Sequence, residues 1–298
     1  MNFYECKPDI RKHLNDNDMR FLDELAHFAG KYHADNIHSR IGYEVLGPAL
    51  LGYSSWLHSE AVKSGAEMIV FLAREGNILK RAYETLLGQN ALKTVYINVS
   101  RVSLCRASVV YAKDLDDILY LFTHNLVNGR TKIQELFGLL GIPECADEYH
   151  NSGRNISDIE DRHELYDFIM RRRMAYFYKQ NILLKKYLAD KGITGGKVIL
   201  SDIGYAGTMQ SLLSVITPCV RYSGCYIIGS DKSRYRHTLI FSKPEVSGYW
   251  NSNKADWEDT GHYFSSAVLK FETLFLSAEG TTTAYAENTS WGGGCRAY

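Results

Sequence analysis

The sequence predicts an α/β fold: a largely parallel sheet with flanking helices and added helical segments. Three observations predict it. Apolar runs such as Val198–Leu200, bounded by Gly195-Gly196 and Gly204, are too brief for helices and too continuous for strands with one wet face, which is how buried parallel strands read. They alternate with stretches of helical apolar spacing, the pattern of strand–helix–strand units. Each ends in charged or small residues, at the strand ends where open parallel sheets gather their ligands.

In chain order, Phe21–His33 and Gly42–Lys63 carry apolar residues at helical spacing, with Gly47-Pro48 expected to interrupt the second stretch and restart it at Ala49. Glu67–Ala73 reads as the first strand, followed by Arg74-Glu-Gly-Asn77 and a helix over Ile78–Leu87. Thr94–Val99 reads as the second, ending at Ser100-Arg101. Helical spacing runs from Asp114 to Leu140 and stops at Gly141-Ile-Pro143; Glu144–Glu160 is a polar loop, and Arg162–Lys191 a long amphipathic helix. The Val198 strand then delivers Asp202 at its carboxyl end into a turn containing Gly204 and Gly207, and Thr208 is placed to cap a helix reaching Ile216. Tyr222–Ile228 and Leu239–Tyr249 read as further strands and Lys270–Leu276 as a short helix, while the tail from Trp291 has no periodicity. The expected organisation is a single domain: a helical lead-in over 1–65, a core over 66–285 with a helical insertion over 114–191, and a tail over 286–298.

Composition bounds the function. A chain of 298 residues with 45% hydrophobic content can bury a full core, and Lys+Arg equals Asp+Glu at 34 each, which argues against a nucleic-acid partner held by net charge. The six cysteines show no Cys-x-x-Cys spacing and no paired histidines at zinc intervals, so they read as reduced, partly buried thiols. No signal-peptide pattern and no apolar run near the ~20 residues of a membrane helix are present, which predicts a cytoplasmic protein with at most peripheral membrane contact.

Several groups carry candidate chemistry. In the Asp202–Gln210 turn, Gly204 and Gly207 let backbone N–H groups approach an anion, with Tyr205, Thr208 and Gln210 beside them; such glycines are also ordinary turn chemistry. Arg74-Glu75-Gly76 repeats the arrangement after the first strand, with Lys80 one turn into its helix. Arg74 offers a planar fork for phosphate and Glu75 a metal ligand or proton acceptor, unless the two form a plain surface ion pair. Ser100 and Arg101, with Arg106 beyond, give a third strand-end group; convergence of the three suits a diphosphate. Glu272 and Glu279 are candidates for a general base or ordinary surface charge. Asp114-Leu-Asp-Asp117 has the aspartate spacing of haloacid-dehalogenase-type phosphatases but lies at a helix start, where capping is the expected role. Arg171, Arg172 and Arg173 point about 100° apart on one helix and cannot form a flat clamp.

Together, Leu46-Gly-Pro-Ala-Leu-Leu-Gly-Tyr53, Phe71-Leu-Ala-Arg-Glu-Gly76, Val99-Ser-Arg101, Asp202-Ile-Gly-Tyr-Ala-Gly-Thr-Met-Gln210 and Glu279-Gly-Thr-Thr-Thr-Ala-Tyr285 resemble the glycan phosphoribosyltransferase domain of bacterial ribofuranosyltransferases. The resemblance implies a Rossmann-like glycosyltransferase or phosphoribosyltransferase core. It also implies phosphoribosyl pyrophosphate as donor, Mg²⁺ as cofactor, and a lipid-linked or oligosaccharide glycan as acceptor in surface polysaccharide (O-antigen or capsule) synthesis at the inner face of the membrane. Members are usually joined to a phosphatase domain of the haloacid-dehalogenase type; no aspartates here stand in its setting, so either a separate polypeptide supplies the phosphatase or this chain does only the transfer step. In this reading Arg74 and Arg101 hold diphosphate, the Gly204–Thr208 turn holds the 5-phosphate, Asp202 and Glu75 are catalytic or metal-binding carboxylates, and Glu272 and Glu279 are further candidate bases. The alternatives are a sugar phosphatase and a non-catalytic sugar-phosphate-binding subunit.

Overall fold

The computed structural model describes residues 36–122, 126–205, 207–229, 244–249, 275, 277–287 and 295–297. Five of its strands form one sheet in the order β2–β1–β3–β4–β5: β1 Met68–Leu72, β2 Thr94–Ile97, β3 Gly196–Tyr205, β4 Val220–Gly229 and β5 Glu245–Gly248, every neighbour parallel. The predicted α/β class with a largely parallel sheet and flanking helices is therefore the observed one. All five residues of β1 are buried, as a strand covered on both faces requires.

The helices are α1 Ile37–Ile41, α2 Gly47–Ser64, α3 Gly76–Leu87, α4 Arg101–Ser108, α5 Leu115–Phe122, α6 Ile133–Leu140, α7 Cys145–Glu148, α8 Arg162–Asp190 and α9 Thr208–Ile216. Met68, Val70 and Leu72 of β1 share a core with Val198 and Leu200 of β3 and with apolar residues of α4, α5, α6, α8 and α9. Ile69, Phe71 and Ile199 alternate to the opposite face and are also buried. Cys225 of β4, the register partner of Ser201, has its thiol pKa raised by burial first and by the charges of Glu60 and Glu245 besides.

The chain divides into two compact units, one of residues 1–59 and 81–91 and the other of 60–80 and 92–298. In the described part of the first, His58 Nδ1 meets the Tyr83 hydroxyl at 2.9 Å and Tyr53 is buried. The second holds the sheets.

Several boundaries differ from expectation for identifiable reasons. Gly47-Pro48 does not restart the helix at Ala49: a π turn over Gly42–Leu46 widens the backbone just ahead of Pro48, which lacks the N–H of a regular turn, and α2 begins at Gly47. The stretch from Asp114 to Leu140 is two helices, and Gly141 ends the second in the left-handed conformation at φ 78°. β3 runs through Asp202 to Tyr205 because β4 pairs with it as far as Tyr205↔Gly229. The tail is not without regular structure, since Cys295–Ala297 forms β7, antiparallel to β6 at Tyr285–Glu287. Phe21–His33, residues 239–243 of the Leu239–Tyr249 stretch and all of Lys270–Leu276 except Phe275 lie outside the described residues.

Candidate functional site

In the order β2–β1–β3 the chain first steps from β1 to one side and later resumes on the other, which makes the carboxyl ends of β1 and β3 a topological switch point, the place where open parallel sheets gather their ligands. Three helices of eight or more residues, α3, α4 and α9, begin at these strand ends, and helix starts carry partial positive charge and unpaired N–H groups. The predicted residues Arg74, Glu75 and Gly76, Ser100 and Arg101, and Asp202 to Thr208 all lie along this one edge.

After β1, the Arg74 N–H donates to Glu75 Oε2 at 3.0 Å and the Arg74 guanidinium stands 3.9 Å from Glu75 Oε1, so the two side chains are held as a pair. Gly76 is buried, and a Cβ there would lie 2.9 Å from the Phe71 carbonyl carbon, so only glycine lets α3 start this close to β1. Lys80 is half-buried in the second turn of α3.

After β3, the geometry departs from the expected phosphate cradle. Asp202 is inside the strand, level with the end of β1, 6% exposed, and its Oδ1 accepts the Ile203 N–H at 2.8 Å. Gly204 serves strand packing, because a Cβ would come within 2.8 Å of the Ile228 carbonyl oxygen. Thr208 is not the cap: Gly207, left-handed at φ 70°, occupies that position and Thr208 is the first helical residue. Tyr205 ends β3. Gln210 is buried and turned away, its amide donating to the Tyr222 and Glu245 carbonyls at 3.0 and 3.1 Å, which ties β4 to β5.

After β2, Ser100 is a helix cap. Its hydroxyl accepts the Ser103 N–H at 3.1 Å and donates to the Thr282 carbonyl at 2.5 Å, a structural use in place of the expected diphosphate contact. Arg101, exposed, opens α4. Arg106 is engaged by backbone: Nε and both terminal nitrogens donate to the carbonyls of Leu139, Thr283 and Gly138 at 2.7, 2.8 and 3.0 Å.

Glu279 joins this edge, and Glu272 lies outside the described residues. The Tyr96 hydroxyl of β2 donates to Glu279 Oε2 at 2.7 Å, and burial, that bond, and the nearby charges of Glu279 and Glu75 together raise the phenol well above its ordinary value. Tyr96 had no signal of its own in the sequence; its partner is 183 residues away in the chain. Downstream, Tyr285 anchors the segment, exchanging backbone bonds with the Gln180 amide and donating to the Asn98 carbonyl at 3.1 Å.

Two motifs take structural roles. Asp114 Oδ1 accepts the Asp117 N–H at 2.8 Å, a helix-cap bond as expected from its setting. Arg171 pairs with Asp167, while Arg172 and Arg173 both reach Glu148 and Arg173 also reaches Glu144, so Arg171 stands apart and the other two share a carboxylate. Among the described residues, no three His, Cys, Asp or Glu side chains gather to hold a metal ion, and no helix is long and apolar enough to cross a membrane. The carboxylates at this edge that could take part in holding a cation are Glu75 and Asp202, and an ion carried by a phosphate ligand would need only one or two of them. No protein-family model and no curated protein matches this sequence, so the site residues themselves carry the functional reading.

Proposed function

We propose that this chain transfers the 5-phosphoribosyl group of phosphoribosyl pyrophosphate to a hydroxyl of a glycan. One observation carries the reading: the Arg74-Glu75 turn after β1 and the passage from β3 into α9 leave neighbouring parallel strands at the point where the strand order reverses. Two strand spacings separate β2 from β3, about 10 Å, a span suited to a pentose with phosphate at each end.

In this reading Arg74 and Arg101, helped by the starts of α3 and α4, hold the diphosphate, and the first N–H groups of α9 hold the 5-phosphate. As the C1–O bond to pyrophosphate breaks, positive charge builds on the ribose ring, and the buried Asp202 carboxylate stabilises it from a site where water competes little. Asp202 and Glu75 are the carboxylates available to Mg²⁺, which would neutralise the leaving diphosphate. The acceptor oxygen attacks C1, and its proton passes to a carboxylate.

The test is incubation of the protein with phosphoribosyl pyrophosphate, Mg²⁺ and a panel of methyl glycosides and oligosaccharides, followed by mass spectrometry. A phosphoribosyl adduct with matching pyrophosphate release is the expected result. Donor binding without turnover would replace the reading with that of a binding subunit, and inorganic phosphate released from sugar phosphates would replace it with that of a phosphatase.

A further inference from the structure

Four carboxylates were candidates for the proton acceptor, and three are described; the structure separates these by their surroundings. Asp202 is buried within β3, and Glu75 is held by the Arg74 N–H and guanidinium. Glu279 is exposed at the same sheet edge, with one oxygen on Tyr96 and the other, Oε1, without a hydrogen-bond or ion-pair partner among the described residues. It stands in a stretch, Ser277–Ala284, with no regular backbone ladder, so its position depends on side-chain contacts.

Resting on the phosphoribosyl-transfer reading, we propose that Tyr96 is a positioning residue that holds Glu279 as the base for the acceptor hydroxyl. The acceptor O–H gives its proton to Glu279, its oxygen forms the bond to ribose C1, and the C1–O bond to pyrophosphate breaks with the electron pair leaving on pyrophosphate. Atoms and charge balance with no further reactant.

The local chemistry fits this role. Tyr96 sits one residue before the end of β2, paired in register with Phe71, so its ring is fixed by the sheet while its hydroxyl reaches the carboxyl edge. Burial is the largest cause of its raised pKa, so the phenol remains a donor throughout the working pH range and never competes for the proton. The Glu279 N–H donates to Ser277 Oγ at 3.4 Å, a second contact that limits where the carboxylate can lie. The stretch is clasped farther on by the Ser100–Thr282 and Arg106–Thr283 bonds, so Tyr96 has only the side chain left to orient. Glu279 is exposed, so an incoming polyol can reach its carboxylate.

The experiment is a double-mutant cycle on the full chain: wild type, Tyr96→Phe, Glu279→Gln and the double variant. Pyrophosphate release is followed with Mg²⁺, phosphoribosyl pyrophosphate and a panel of methyl hexopyranosides, and donor Kd is measured by calorimetry. Glu279→Gln is expected to lower kcat by roughly 100-fold or more, in the range of general-base loss. Tyr96→Phe is expected to lower it about tenfold, and the double variant to be no slower than Glu279→Gln, because Tyr96 acts only through that carboxylate. Donor Kd stays unchanged throughout. Rates within twofold of wild type for either single variant, effects that multiply in the double variant, or a loss confined to donor Kd would each overturn the role of Tyr96 while leaving the transferase reading intact. No pyrophosphate release by the wild type with any acceptor would overturn both.

Discussion

Asp202 of β3 and Tyr226 of β4 are register partners, side by side and both buried, and the carboxylate adds to burial in holding the Tyr226 phenol far above its ordinary value. The phenol donates to Gln210 Oε1 at 3.3 Å. An acid this enclosed has packing and charge roles that substitution can separate. Asp202→Asn preserves shape and removes charge, so the fold is expected to survive while transfer falls by more than about 100-fold, as loss of transition-state electrostatics predicts. Thermal melting and the adduct assay, run on the same preparation, check both halves.

Gly204 and Gly207 are constrained by different neighbours. A Cβ on Gly204 meets the Ile228 carbonyl oxygen at 2.8 Å, and one on Gly207 meets Pro244 and Val246 at 3.0 Å with φ at 70°. Gly204→Ala must move strand backbone, so a loss of about 1–3 kcal/mol in urea unfolding is expected. Gly207→Ala adds left-handed strain at the start of α9 and is expected to cost roughly 1–2 kcal/mol and weaken donor binding as well. Stability at the wild-type level in both variants would contradict the packing described.

Arg106 joins the end of α6 to the Thr283 stretch through three carbonyls. Arg106→Ala strips all three at once, and a destabilisation of roughly 2–3 kcal/mol is expected from lost charge-assisted bonds. Since Arg106 touches no proposed donor group, calorimetry should find donor Kd unchanged.

Burial pushes the Cys105 and Cys225 thiols from 9.0 up to about 12. Between those values the unfolded chain has released protons that the fold retains, so stability is fully present below pH 9 and falls as pH rises toward 12. Each thiol contributes a slope of roughly 1.4 kcal/mol per pH unit in that window. Urea titrations from pH 8 upward on wild type and on Cys105→Ala/Cys225→Ala measure it; an unchanged slope in the variant would refute the assignment. In the native protein at neutral pH, Cys219, exposed where Cys105, Cys145 and Cys225 are buried, is expected to react with a thiol reagent ahead of those three.

The legible parts of the sequence were those set by local patterning. Continuous apolar runs identified β1 and β4 nearly to the residue, and the amphipathic spacing from Arg162 located α8, which Asp161 caps by accepting the Glu164 N–H. Asp114 was readable as a cap because the apolar residues after it follow helical spacing. The residues misread were those whose partners lie far along the chain. Ser100 and Arg106 looked like strand-end anion ligands, and what engages them is the 282–283 backbone, together with the end of α6 for Arg106. Gln210 looked like part of a turn, but the first turn of a helix also presents a buried face, and Gln210 is on it.

The sequence by itself determined the class of fold, the alternation of strands and helices, and the collection of Arg74, Glu75 and Arg101 just beyond strand ends, because each follows from the side-chain periodicity of one segment. Only the tertiary structure decided the strand order β2–β1–β3–β4–β5, the depth of Asp202 beside Tyr226, and the meeting of Tyr96 with Glu279. Those depend on which segments pack against each other. A hydrogen bond between residues 183 positions apart leaves no trace in the local pattern of either.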